Sequence, residues 1–232
     1  MTTMFLFANS TDLKIIGASD FQIQEIPQSD YYDKKSVRWT DFSNPIDYTP
    51  HLNSFLINYK SKLTDMLGIL NGAFLISEKL LDIFLKANIE QYQYFVANVV
   101  YRKQNYKYYY FFIYGQNFDY VDYRNMVFIG ESAQLVENNE NGQGQWIFQN
   151  KEIEVEGEEQ IINWQQFYPN YPRWNYKNLK LNYANIKTDM IRIPTVFNNL
   201  YFVSDKLKTQ IEQAGCTGMQ FRTSDIFNRE IL

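Results

Sequence analysis

Apolar and polar residues recur along the chain at two periods, about 2 and about 3.6, and the switches between them mark the expected elements. Residues 4–8 read as a short strand. Residues 15–50 are weakly patterned and broken by Gln28-Ser29-Asp30, Asn44-Pro45 and Tyr48-Thr49-Pro50, which predicts an irregular N-terminal arm over residues 1–48. Residues 52–59 (LNSFLINY) are near-alternating and suit a strand. Residues 96–102 and 106–115, rich in Val, Tyr and Phe, flank Lys103-Gln104-Asn105 and predict a hairpin with a three-residue connection. Residues 126–136 and 146–155 flank the turn-rich residues 137–144, with Asn141-Gly142 inside them, and predict a second hairpin. In its return strand Glu152, Glu154 and Glu156 alternate with Ile153 and Val155, which places the carboxylates on one face.

Two segments match each other. Residues 74–89 (FLISEKLLDIFLKANI) and 201–216 (YFVSDKLKTQIEQAGC) align when Ser77 is set against Ser204. Each serine can accept a hydrogen bond from a first-turn amide, and the acid after it, Glu78 or Asp205, suits the positive end of a helix dipole. Leu80, Phe84 and Ala87 form one apolar stripe, and Leu207, Ile211 and Ala214 form its counterpart. Asn88 and Gly215 fall where a helix ends in a left-handed residue. Each unit therefore reads as a strand, a capped helix of about three turns and a second extended segment, over residues 70–99 and 198–223. Either the chain holds two copies of one unit, or a generic capped helix occurs twice. The fold class expected is α+β, with mostly antiparallel, aromatic-rich sheet and a few short capped helices. With no Pro/Gly/Ser-rich linker in the sequence, residues 1–232 are expected to form a single domain.

Composition narrows the chemistry. The 232 residues include 18 Phe, 19 Tyr and 4 Trp, but one His and one Cys. An intrachain disulfide is excluded, and a His/Cys metal cluster loses its usual ligands; no cofactor or metal is expected. The first residues, MTTMFLF, lack a basic leader region, and no window approaches the roughly 18 apolar residues of a membrane helix, so a soluble, cytoplasmic protein without membrane partners is expected. His51 has no G-x-S-x-G element to serve and is expected as a partly buried hydrogen-bonding residue; Cys216 is expected as a small buried hydrophobe. Gly142 and Gly144 do not make a phosphate cradle. No catalytic residue is assigned, and the protein is not expected to be an enzyme.

Charge is more informative than its total. The net charge is −4, yet residues 131–160 hold eight acids (Glu131, Glu137, Glu140, Glu152, Glu154, Glu156, Glu158 and Glu159) against Lys151 alone. Residues 126–160 thus read as an acidic hairpin region, either a solvated edge or a surface that faces a partner. Basic residues interleave with tyrosine in residues 101–110 and 171–192, as in single-strand nucleic-acid grooves, but the negative total disfavours a nucleic-acid partner. Trp146, Trp164 and Trp174, with the many carboxylates, leave a carbohydrate-binding or carbohydrate-processing protein as the alternative.

The phrase Phe202-Val203-Ser204-Asp205-Lys206-Leu207, then Ile211, then Ala214-Gly215-Cys216-Thr217-Gly218-Met219-Gln220-Phe221 resembles the closing motif of bacterial immunity proteins encoded beside polymorphic toxins, the group usually numbered eleven and its relatives. Residues 72–80, followed by Tyr94-Phe95-Val96, resemble that family's central motif. The likeness covers about residues 50–223, on helix-capping and core positions. It implies a small cytoplasmic protein that binds and neutralises a cognate toxin domain without catalysis, and it carries no functional residue across. The acidic segment then supplies the expected contact, through Glu152, Glu154, Glu156, Glu158 and Glu159.

Overall fold

The computed structural model describes residues 3–17, 22–25, 33, 35–37, 43–70, 72–115, 117–137, 144–194 and 199–223; within these, the side chains of residues 25, 69–70, 135–137, 144–146 and 194 are not described. The expected turns at Gln28-Ser29-Asp30 and Asn141-Gly142 lie outside the described residues. In chain order the elements are β1 (Met4–Asn9), α1 (Leu13–Ile16), β2 (Ile23–Glu25), β3 (Phe55–Ile57), β4 (Met66–Leu70), β5 (Ala73–Ile76), α2 (Glu78–Lys86), β6 (Tyr92–Tyr101) and β7 (Gln104–Ile113). There follow β8 (Phe128–Glu137), β9 (Gly144–Ile153), α3 (Glu158–Ile162), α4 (Trp164–Phe167), β10 (Arg173–Tyr176), β11 (Met190–Pro194), β12 (Asn199–Ser204), α5 (Asp205–Gln213) and β13 (Met219–Thr223). The architecture is α+β, with mostly antiparallel sheets, aromatic clusters and few short helices, as the sequence predicts.

The chain divides into two compact units, one from Met1–Asn117, Lys187–Arg192 and Asn198–Ser224, the other centred on Phe118–Ile186. In the first unit, β2-β3-β6-β7-β5-β4 form one sheet and β11-β12-β1-β13 another. The two sheets repeat one arrangement. β5 leads through α2 to β6, with β7 inserted between them and antiparallel to both. β12 leads through α5 to β13, with β1 inserted between them and antiparallel to both. The inserted strand follows the unit in one case and comes from the start of the chain in the other. Residues 4–9 form the short strand expected over residues 4–8, but as an inner strand of a sheet rather than part of an irregular arm. Their hydrogen-bond partners lie some 200 residues away, so nothing local in the sequence announces the role.

β7 explains the aromatic richness. Its residues alternate between two cores, with Tyr109, Phe111 and Ile113 on one face and Tyr108, Tyr110 and Phe112 on the other. The first face packs on α2 and α5 through Leu80, Phe84, Leu207 and Ile211. The second is closed by Val37 and Leu52 together with residues of β3 and β6. Each fully buried side chain of this kind contributes about 1.5 to 3 kcal/mol relative to exposure. The β6–β7 hairpin is longer than its sequence suggests and turns on two residues, Arg102 and Lys103, both with positive φ. A two-residue turn of this hand matches strand twist, and the ten-pair ladder on either side holds two non-glycine residues in it.

Both helix starts form as the sequence predicts. The Ser77 hydroxyl accepts the Leu80 amide at 3.3 Å and the Ser204 hydroxyl accepts the Leu207 amide at 3.1 Å. The helix ends differ from expectation. Gly215 is left-handed, with φ of 64°, but Asn88 is not; α2 ends at Lys86 with Ala87 extended, because the Asn88 amide is drawn to Asp189 and its side chain donates to the Lys187 carbonyl. Ala214 leaves the apolar stripe and is exposed. His51 hydrogen-bonds Asp33 at 2.6 Å but is exposed rather than partly buried. The Lys35 amide, followed by His51, holds the Asp33 carboxyl below its usual range.

Candidate partner-binding surface

The second unit is built on the sheet β10-β8-β9. β8 and β9 pair without interruption from Phe128↔Ile153 to Glu137↔Gly144, and β10 pairs with β8 from Tyr176↔Phe128 to Arg173↔Glu131. One face of this sheet carries the unit's core. Phe128 packs against Trp164, Trp174 and Tyr176 with ring centroids 5.4 to 6.0 Å apart, while Ile153, Val155 and Ile161 are buried. Trp164 and Trp174, two of the three expected stacking platforms, are therefore core residues; the Trp146 side chain is not among those described.

The acidic run departs from a single hairpin face. Glu152, Glu154 and Glu156 are exposed and alternate with buried Ile153 and Val155, as the pattern requires. β9 ends at Ile153, however, so Glu154 and Glu156 lie on the connection beyond the strand, and Glu158 and Glu159 fall in the first turn of α3. The Gln160 side chain accepts the Glu156 amide at 2.8 Å and the Tyr168 hydroxyl at 3.3 Å. That clip fixes the turn from strand to helix, a local rearrangement that a strand period cannot anticipate. Two carboxylates in the first turn also suit the positive end of the helix.

Beside the run lies a groove of about 400 Å³, lined among others by Lys151, Glu152, Glu154, Phe167, Tyr168 and Tyr171. Tyr168 leans on Trp164 at 4.4 Å between ring centroids. Trp164 in turn donates its indole N–H to the Tyr171 carbonyl at 2.6 Å. Tyr171 rests on the sheet because Gly130 beneath it has no side chain: a Cβ there would lie 2.9 Å from that of Tyr171. Lys151 Nζ lies 5.9 Å from the Tyr171 ring centroid. Burial, and then the negative charge of Glu156, push the Tyr168 phenol above its usual pKa.

The charges are only partly answered. Phe118–Ile186 holds ten acids and five bases. Lys177 pairs with Glu152, and Arg173 stands opposite Glu131 in the ladder. Glu154, Glu158 and Glu159 make no ion pair with a described residue. In the tyrosine-rich basic stretches, Lys107 pairs with Glu78 at 3.3 Å, and buried Arg192 donates to the carbonyls of Ile113 and Gly115 at 3.2 and 2.8 Å.

Large apolar side chains stand exposed in the same unit, notably Phe148, Ile147, Ile162 and Phe167. The sequence holds a signal for the first two. Consecutive strand residues point to opposite faces, so an apolar pair on a hairpin cannot both enter one core. The groove gave no such signal, because Tyr171 and Gly130 meet only in the folded chain. No known protein family and no curated protein matches this chain.

Proposed function

We propose that this is a non-catalytic, cytoplasmic immunity protein that binds and neutralises a cognate bacterial toxin domain. The contact surface is the acidic segment of the second unit, through Glu152, Glu154, Glu156, Glu158 and Glu159. The observation that carries the reading is that Glu154, Glu158 and Glu159 lack counter-ions among the described residues while Phe148, Ile162 and Phe167 stand exposed in the same unit. Uncompensated charge near exposed apolar anchors is the composition of a recognition surface for a partner of opposite sign. Many toxin domains act on nucleic acid through basic clefts, and an acidic surface that covers such a cleft blocks it sterically and electrostatically. The likeness of residues 72–80 and 202–221 to immunity-protein motifs supports the same reading.

Co-expression with the toxin encoded beside the gene, in a sensitive bacterium, tests it. The wild-type protein is expected to restore growth, and a variant with the five glutamates reversed to lysine is expected to lose protection. Growth arrest in the presence of the wild-type protein would refute the proposal.

A further inference from the structure

Strand β9 ends its sheet, and no described strand pairs its outer edge. Unpaired edges invite association, and proteins ordinarily blunt them with short strands, bulges, prolines or lysines. The other sheet-ending strands follow that rule. β10 has four residues, β11 five with Pro194 at its end, and β13 five with Arg222. β2 has three residues, and both β2 and β4 carry register shifts. β9 differs: ten residues in unbroken register, with no proline and no charge before Lys151.

The strand is also open on both faces. Every residue from 147 to 152 is exposed, Phe148 to 70% and Ile147 to 43%. By the strand period Phe148 shares a face with Asn150 and Glu152, and Ile147 shares the other with Gln149 and Lys151. An added strand would find backbone donors and acceptors along the edge and an apolar anchor on each face, the pattern of strand addition.

We propose that the outer edge of β9 takes up an extended, basic segment of the partner protein as a fourth strand of the sheet; this rests on the toxin-binding reading above. Charge selects the occupant. A second copy of this chain would set two segments, each with eight acids and one base over residues 131–160, against one another. A strand with lysine or arginine at alternate positions meets Glu152, which Lys177 already pairs, on the Phe148 face, and its end comes to Glu154 and Glu156 just beyond β9, where opposite charges attract.

Hydrogen exchange on the full-length protein tests the proposal with two probes, the toxin domain encoded beside the gene and a ten-residue peptide of alternating lysine and valine. Amides of β9 that point toward β8 are protected already; the outward ones are expected to slow on addition of either probe. Phe148→Lys and Gln149→Lys place a cation at this exposed edge, and are expected to weaken both probes about tenfold while the thermal midpoint holds. If the toxin domain binds and β9 exchange is unchanged, the edge proposal is overturned and the immunity reading stands. If the peptide slows β9 and the toxin domain does not bind at all, the edge stands and the immunity reading falls. Slowing by neither probe, or slowing that follows the protein's own concentration, overturns the edge proposal.

Discussion

The carboxylate of Asp189 accepts the backbone N–H of Asn88 at 3.0 Å, although 101 positions separate the two residues. It also accepts the Ser204 hydroxyl at 2.8 Å and the Lys206 ammonium at 3.0 Å. Asp65 repeats the arrangement with the Ser77 hydroxyl at 2.8 Å, Lys79 at 3.3 Å and the Thr217 amide at 2.9 Å. Each aspartate thus joins the start of one helix to the segment that follows the other, and α2 and α5 are tied as an antiparallel pair.

This network makes stability depend on pH. Burial acts to raise the Asp189 carboxyl, but the Asn88 amide, Lys206 and Ser204 outweigh it and hold the group below its ordinary value. A carboxyl depressed in the native state adds stability above its unfolded pKa, near 4, and loses it as pH falls through the folded value. Unfolding midpoints measured from pH 7 to pH 3 are expected to drop at the acid end. Asp189→Asn is expected to lower stability at pH 7 by about 2 kcal/mol and to flatten that drop. Parallel curves for the two proteins would contradict the assignment.

The two caps are expected to differ in strength. Ser204 is buried and Ser77 half-buried, so losing the hydroxyl leaves Asp189 less able to recruit water than Asp65. Urea denaturation should give about 2 kcal/mol for Ser204→Ala and about 1 kcal/mol for Ser77→Ala.

Those caps were legible in the sequence because capping is local: a serine, an acid and an apolar stripe within one helix suffice. The alternation of Glu152, Ile153, Glu154, Val155 and Glu156 between solvent and core was legible for the same reason. The two strand-helix-strand units were legible in the match of residues 74–89 to 201–216, but the strands inserted into them were not, since β1 and β7 enter from opposite ends of their units. Nor were Asp65 and Asp189, each isolated in sequence from the residues it joins. At the candidate surface, the exposed glutamates could be named in advance, but the end of β9 at Ile153 and the groove floor at Gly130 depend on tertiary contacts.

Gly130→Ala tests that floor. Its Cβ would lie 2.6 Å from Ile153 Cδ1 and 2.9 Å from Tyr171 Cβ, a clash expected to cost about 1 to 3 kcal/mol. Displacing Tyr171 disturbs its hydrogen bond from Trp164, so tryptophan fluorescence should shift. Gly157→Ala, which meets nothing within 4 Å, should leave fluorescence near wild type and cost at most about 1 kcal/mol, from alanine at the α3 N-cap.

Cys216 is expected to react slowly. Burial, and then the negative charge of Asp65, raise its thiol above the usual pKa, and the thiolate is the reactive form. Reaction with a thiol reagent at pH 8 should be several-fold slower in the native protein than in urea, and Asp65→Asn should accelerate the native rate. Equal native and unfolded rates would remove the basis for this expectation.

On the proposed function, the acidic segment recognises a basic toxin domain. Its most direct measurement is the affinity of the wild-type protein and of the variant with Glu152, Glu154, Glu156, Glu158 and Glu159 reversed to lysine for the protein encoded by the neighbouring gene, across a range of salt concentrations. The expected result is binding by the wild type that weakens as salt rises, and a loss of about a hundredfold or more in the variant at low salt. Equal affinity and equal salt dependence for the two proteins would contradict the claim.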